Sequence, residues 1–313
     1  MNILFRKPLL AGKRFAFRVF PLLIFTLIAF QSCIMENMSE CKEYHMVVKI
    51  VDVSSESGTP STLDTVGVYL FSEKGFERII STGKKSGFFF NYVSNTPLTF
   101  GFDKNSPLTL VAWGNLNRNS LTLPSLTKGQ SPEGSMIQLR KCEEYDKVTT
   151  DLFYASCTTN NQQAVNGDTL ILYMNRVLGA MKVTCKSVDE CFGPGTDPFR
   201  LEARSTTNAL NFLANATGKA STFCPGLEKC VNGEYVTPVF NLLPTAADDP
   251  MTLELYRGDS LVYSGNIDNE GNLLRAKANE QLNVTIDFGA AGNQAVVTVT
   301  VTPWGNSNQE VGL

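Results

Sequence analysis

The sequence predicts an all-β chain of two β-sandwich domains in tandem, following an export signal. Three observations carry this. Short runs that alternate apolar and polar residues recur between Gly-, Pro- and Asn-rich turns, and helical periodicity is scarce. Val, Thr, Phe and Tyr dominate those runs, as half-buried pleated surfaces favour. A strand running into Trp-Gly-Asn occurs twice, at residues 108–115 and 299–306, and these hold the only two tryptophans.

The first 32 residues read as a signal peptide. Arg6, Lys7, Lys13, Arg14 and Arg18 form a basic region, an apolar run covers 21–30, and Gln31-Ser32-Cys33 follows. The apolar run is far shorter than the ~20 residues that a membrane span needs. A cysteine directly after a small residue is the bacterial lipoprotein pattern, in which the thiol is acylated and becomes the new amino terminus. Cys33 is therefore the expected lipidation site, with Phe30 standing where a lipobox usually has Leu. Residues 33–43 follow as a tether.

The strands are expected in order at 45–53, 65–71, 76–80, 86–92, 108–113, 170–173, 181–184, 251–256, 261–263, 282–288 and 295–302. A turn at 72–75 separates the second and third. Residues 115–132 and 192–198 are polar, Gly- or Pro-bearing loops. Residues 201–213 are the one stretch that could hold a short helix. The two copies of the Trp-Gly-Asn ending suggest one tryptophan per domain core. They place an N-terminal sandwich at 44–175 and a C-terminal one at 176–313.

The mature chain has 281 residues, long for one core and comfortable for two. Removing the signal leaves 22 basic against 30 acidic residues, a net charge of −8. Such a chain is a poor partner for nucleic acid or anionic lipid faces. Eight cysteines fit an oxidising compartment. Cys185 and Cys191, like Cys224 and Cys230, have five residues between them, wider than the usual zinc-ligand spacing. These four are expected to form two disulfides among themselves, in a pairing the sequence leaves open.

Chemistry is thinly represented. The single histidine, His45, starts the first expected strand, and no nucleophile elbow, P-loop or dinucleotide motif is present. No catalytic residue, cofactor or metal is expected, and the chain is read as non-enzymatic. Residues 266–271 look briefly like a calcium loop, but Lys277 stands where a bidentate Glu is needed, so a hairpin turn is expected. Thr65, Thr169 and Ser260 each follow an Asp and precede an apolar residue, as O-glycosylation acceptors of Bacteroides-type envelope proteins do.

Taken in order, several segments resemble one family. After the lipid cysteine come Glu36 to Cys41, then Val68 to Gly75, Leu110 to Asn115, Asp151 to Tyr154, and a strand after Met174 to Val177. This resembles the FimB-type fimbrial anchor family, the fimbrillin-associated lipoproteins of Bacteroides-type bacteria. The resemblance is good in the N-terminal half and loose beyond it, and Lys42 stands where Pro is expected. It implies two transthyretin-like sandwiches and a place at the fimbrium base, surface-exposed and lipid-anchored in the outer membrane. The implied partner is a fimbrillin-like shaft subunit, bound by β-strand complementation.

In shaft subunits of that type a trypsin-like protease cuts after an Arg downstream of the lipid and removes the first strand. Here no Arg lies between Cys33 and Arg78, although Lys42 and Lys49 would admit a Lys-specific protease. The first strand is therefore expected to stay, as in a chain terminator, and residues 296–302 are the expected pairing element. A different function class, a glycan-binding surface lipoprotein of a polysaccharide-uptake system, would place aromatic platforms on exposed loops. The two strand-end tryptophans, both expected to be buried, favour the anchor.

Overall fold

The computed structural model describes residues 41–46, 49–52, 62–84, 98–103, 107–147, 150–159, 171–193, 197–205, 207–246, 249–289 and 295–303. Among these the regular structure is nearly all strand, with one five-residue helix, Val188–Phe192. The all-β expectation holds.

An N-terminal sheet runs in the order Lys49–Asp52, Ile171–Arg176, Phe153–Thr159, Leu108–Gly114, Thr65–Ser72, Gly75–Lys84. Its neighbours are antiparallel except Lys49–Asp52, which lies parallel to Ile171–Arg176. Both faces of this sheet are apolar. Val66, Val68, Leu70, Leu108, Leu110, Ala112, Phe153 and Ala155 belong to one buried cluster. Phe71, Val111 and Trp113, one residue out of phase, belong to a second and larger cluster. A strand covered on both sides reads as a continuous apolar run, which is why Val68 to Phe71 and Leu110 to Trp113 lack polar interruptions.

A C-terminal sheet runs Glu228–Lys229, Tyr235–Val236, Gly179–Lys186, Glu280–Asp287, Val296–Pro303, with Phe240–Leu242 also paired to Gly179–Lys186. A four-stranded sheet runs Ser221–Phe223, Phe199–Ser205, Thr252–Arg257, Ser260–Gly265. Met181, Val183, Leu282, Val284 and Ile286 from the first and Leu201, Ala203, Leu253 and Leu255 from the second are buried in the larger cluster.

A further sheet joins the two halves. Leu121–Thr122 and Met136–Leu139 precede residue 176 in the chain, and Ala209–Asn211 and Ala216–Thr217 follow it, yet all four share one ladder. Trp113 sits at this junction, 1% exposed. Its indole N–H donates to the Phe212 carbonyl at 3.0 Å, and its ring lies against Tyr154 and Phe212. One tryptophan therefore ties the N-terminal sheet to the C-terminal half. Trp304 lies outside the described residues.

The residue two after Trp113 explains the rest of the motif. Asn115 has a left-handed φ of 59°, which Asn tolerates better than most residues. Its side-chain oxygen accepts from the Asp64 and Thr65 N–H groups, and its amide donates to the Thr62 and Asp151 carbonyls. One side chain thus satisfies four backbone groups from two other segments, which a hydrocarbon could not do. Beneath it Arg176 Nε pairs with Asp151 Oδ2 at 2.5 Å, and Thr62 Oγ1 donates to the same oxygen.

Two expectations change. Residues 201–213 hold strands, Phe199–Ser205 and Ala209–Asn211, and no helix. Leu-Glu-Ala-Arg is good helix sequence, but Leu201 and Ala203 enter the core while Arg200, Glu202 and Arg204 line up on the opposite face, a period of two. The first strand is two pieces: Cys41–Met46 pairs with Leu98–Asp103, and Lys49–Asp52 pairs with Ile171–Arg176. The strand expected at 86–92 lies outside the described residues.

Candidate functional site

The C-terminal sheet ends in Val296–Pro303, paired on its inner side with Glu280–Asp287 through eight unbroken antiparallel positions. Among the described residues no strand pairs with its outer side. The alternating Val and Thr of residues 296–302 explain both the strand and its faces. Val297 is buried and Val301 is 54% exposed, so the valine face slides out from under the core toward the strand's end. Thr298 and Thr300, on the other face, are exposed.

The outer backbone groups can be assigned. The Val297 N–H donates to Asn269 Oδ1 at 2.7 Å, and the Val297 carbonyl accepts from the Asn269 N–H at 2.9 Å. Residues two apart on a strand point their backbone groups the same way. Val299 and Val301 therefore direct their N–H and carbonyl groups outward, and so does the Pro303 carbonyl, whose residue has no N–H. Asn269 closes the first rung, Pro303 weakens the last, and among the described residues two complete rungs stay open between them.

Beneath this edge lies a groove of about 700 Å³. Val297, Val299, Val301, Leu273, Leu274 and Leu282 give it an apolar wall, and Asp268, Glu270, Arg275, Lys277 and Glu280 a charged rim. The segment from Asn266 to Lys277 forms the far side. Asp268 shapes it as a turn: Oδ1 accepts from the Glu270 and Asn272 N–H groups, and Oδ2 accepts from the Asn272 amide. These bonds, the Asn272 side chain foremost, hold the Asp268 carboxyl below its ordinary value. The turn expected at 266–271 is present. Its role in closing a sheet rung was not legible, because an Asn in a turn carries no sign of which distant backbone it meets.

A second polar cluster lies on the four-stranded sheet. The buried Glu202 carboxylate accepts from Tyr145 and pairs with Arg200 and Arg204, while Arg204 also pairs with Glu254. Burial, then the Glu144 and Glu202 carboxylates, push the Tyr145 phenol far up. Arg200 stacks over the Tyr256 ring, 4.8 Å from its centre. Each group answers another in the cluster, and the ring is covered, which suits a fastening between strands better than a platform for a sugar.

The residues singled out from sequence are scattered. Cys33 and Thr169 lie outside the described residues. Thr65 is half-buried, with its N–H held by Asn115. Ser260 is exposed at the start of an edge strand. The bridges expected among Cys185, Cys191, Cys224 and Cys230 are not present, and all six cysteines at 142 and beyond carry free thiols. Cys185 is wholly buried near the end of the strand Gly179–Lys186, Cys191 and Cys230 are exposed, and Cys224 is half-buried. Among the described residues no group of three or more His, Cys, Asp or Glu could hold a metal ion.

The fold is all-β, several sheets around a large shared core, with one sheet edge unpaired among the described residues. Mfa2, the fimbrial anchor protein from Porphyromonas gingivalis, superposes with a TM-score of 0.58 at 12% identity, covering 82% of this chain and 96% of that one. A candidate polysaccharide-binding protein from Bacteroides thetaiotaomicron VPI-5482 also scores 0.58, at 19% identity over 84% of this chain and 98% of its own. The chain belongs to the family of fimbrillin-A associated anchor proteins Mfa1 and Mfa2, whose model matches residues 38–310. The major fimbrium anchoring subunit FimB of P. gingivalis strain W83 is 22% identical over 286 residues, covering 88% of this chain and 91% of that relative.

Proposed function

We propose that this chain is a lipid-anchored surface subunit that tethers or terminates a fimbria by adding a β-strand of a fimbrillin-like shaft subunit to the outer edge of Val296–Pro303. The observation that carries this is the open pair of rungs at Val299 and Val301 above an apolar groove. Strand addition draws affinity from main-chain hydrogen bonds and specificity from pockets for alternate side chains, and this edge offers both. The family supports the anchor role.

The outer membrane end of the tether is acylated Cys33, and more than one acyl chain is what makes such an anchor firm. The subunit terminates growth because its own first strand stays. Lys49–Asp52 fills one edge of the N-terminal sheet, and Arg78, the first Arg after the lipid site, lies well inside the hairpin strand Gly75–Lys84. A cut there would remove far more than one strand. The tandem transthyretin-like description belongs to the same reading, with the joining sheet holding the two units together. The role needs no catalysis, cofactor or metal.

The test is a Cys33→Ser exchange in cells that make the fimbria. The account expects unprocessed or released protein and fimbriae shed into the medium. Fimbriae that stay attached, with the protein still membrane-bound, would contradict it.

A further inference from the structure

We infer that the strand received by this edge carries a carboxylate and that Arg275 is the residue that reads it. The inference rests on the edge-addition reading above and deepens it by naming the partner's chemistry.

The argument follows the charges of the groove. Five ionisable side chains line it. Asp268 is consumed by its own turn, where it accepts three hydrogen bonds. Glu280 and Lys277 face one another at 3.9 Å. Glu270 accepts from the Asn272 amide at 3.4 Å. Arg275 differs from the other four: its Nε is shielded from water and meets no hydrogen-bond partner among the described residues.

A guanidinium presents five donors in a fixed fork, and one left unmet in a partly desolvated place costs free energy. Three carboxylates line the groove, Asp268, Glu270 and Glu280, yet among the described residues none of them meets this Nε. A carboxylate arriving with the incoming strand would meet it, in a charge-assisted and directional pair. The position suits recognition. Arg275 lines the same groove as Val297, Val299 and Val301 of the edge strand, within the space an added strand would enter.

The span open to the added strand is set as well. Asn269 occupies the outer groups of Val297, and Pro303 offers no donor, so pairing is centred on Val299 and Val301. A strand held in one register presents one side chain to Arg275. The occupant is thus a short apolar β-strand with an acidic residue at one inward position.

The test uses the full mature chain and a series of short blocked peptides of alternating Val and Thr. Each carries one Asp at a different position, and a matched series carries Asn instead. Fluorescence polarisation reads the affinity. At least one Asp peptide is expected to bind about tenfold more tightly than its Asn twin, as a charge-assisted pair exceeds a neutral one. The preference should shrink with added salt, vanish in Arg275→Gln and survive in part in Arg275→Lys. Unchanged affinity of the Asn series in both variants is the control for an intact groove. Equal binding of every Asp and Asn pair would overturn the carboxylate inference and leave edge addition standing. A preference that persists undiminished in Arg275→Gln would assign the reading to another residue. Binding of neither series would overturn both readings together.

Discussion

The N-terminal and C-terminal sheets differ most at their edges. The N-terminal sheet ends on one side in Lys49–Asp52 and on the other in Gly75–Lys84. The ladder between Thr65–Ser72 and Gly75–Lys84 shifts register twice, between Val68 and Tyr69 and between Leu70 and Phe71. Such bulges bend an edge away from further pairing. Its hairpin tip is tied down too: the Phe76 N–H donates to the Gln130 carbonyl and the Gly129 N–H to the Phe76 carbonyl. The C-terminal edge strand has eight paired positions without a shift and, among the described residues, one outer rung closed, by Asn269. The lesson is that edge protection is distributed unequally. One sheet is finished as a structural layer, and the other keeps outer backbone groups unpaired among the described residues.

The contrast can be broken at the structural end first. Trp113→Ala removes the side chain that joins the N-terminal sheet to Phe212. It should lower unfolding stability by about 3–5 kcal/mol in a denaturant melt, while the folded fraction binds its partner unchanged. A loss much below that would mean the junction is loosely packed. Asn115→Ala is the next step down. It strips four backbone groups of their partner, and each buried group left unmet costs about 1–3 kcal/mol, less where water reaches it. The expected result is a stability loss, read by the same melt, that Asn115→Asp recovers only in part, because a carboxylate accepts but cannot donate.

At the functional end the largest expected effect is smaller in stability and larger in binding. Val299→Pro deletes an outward N–H without touching the inner ladder, and proline is tolerated on sheet edges. The fold should persist while affinity for a shaft subunit falls roughly 10- to 100-fold, the cost of an unmet backbone acceptor on the partner. The mildest test is chemical. Burial pushes the Cys185 thiol up to about 12. Because the neutral thiol is the favoured form, Cys185 should resist iodoacetamide from pH 7 to 9 in the native protein. Cys142, Cys191 and Cys230 are exposed and should label. Labelling of Cys185 would show that the C-terminal core opens.

Much of this was legible in the sequence. The strands at 65–71, 108–113, 282–288 and 295–302 were readable because each alternates or runs apolar between clear turns. The edge strand itself was singled out as a pairing element. What escaped was non-local. The joining sheet is built from pieces two to four residues long, such as Leu121–Thr122 and Ala209–Asn211, too short to carry a period. Residues 199–205 were hidden by helix-forming side chains whose charges are spent on a shared carboxylate, Glu202. Asn269 and Arg275 had no signature, since what marks them is a rung closed by one and a partner missing from the other. At the cysteines a regular spacing suggested bridges, whereas the structure shows these thiols free.

The central claim is that a partner strand adds to the outer side of Val296–Pro303. Residue-resolved hydrogen exchange on the mature chain, with and without a fimbrillin-type shaft subunit from the same cells, tests it most directly. The account predicts new protection at the Val299 and Val301 amides, with the inner-ladder amides and the Gly75–Lys84 edge unchanged. Protection that appears instead along Gly75–Lys84 or Lys49–Asp52, with Val299 and Val301 still exchanging freely, would contradict it.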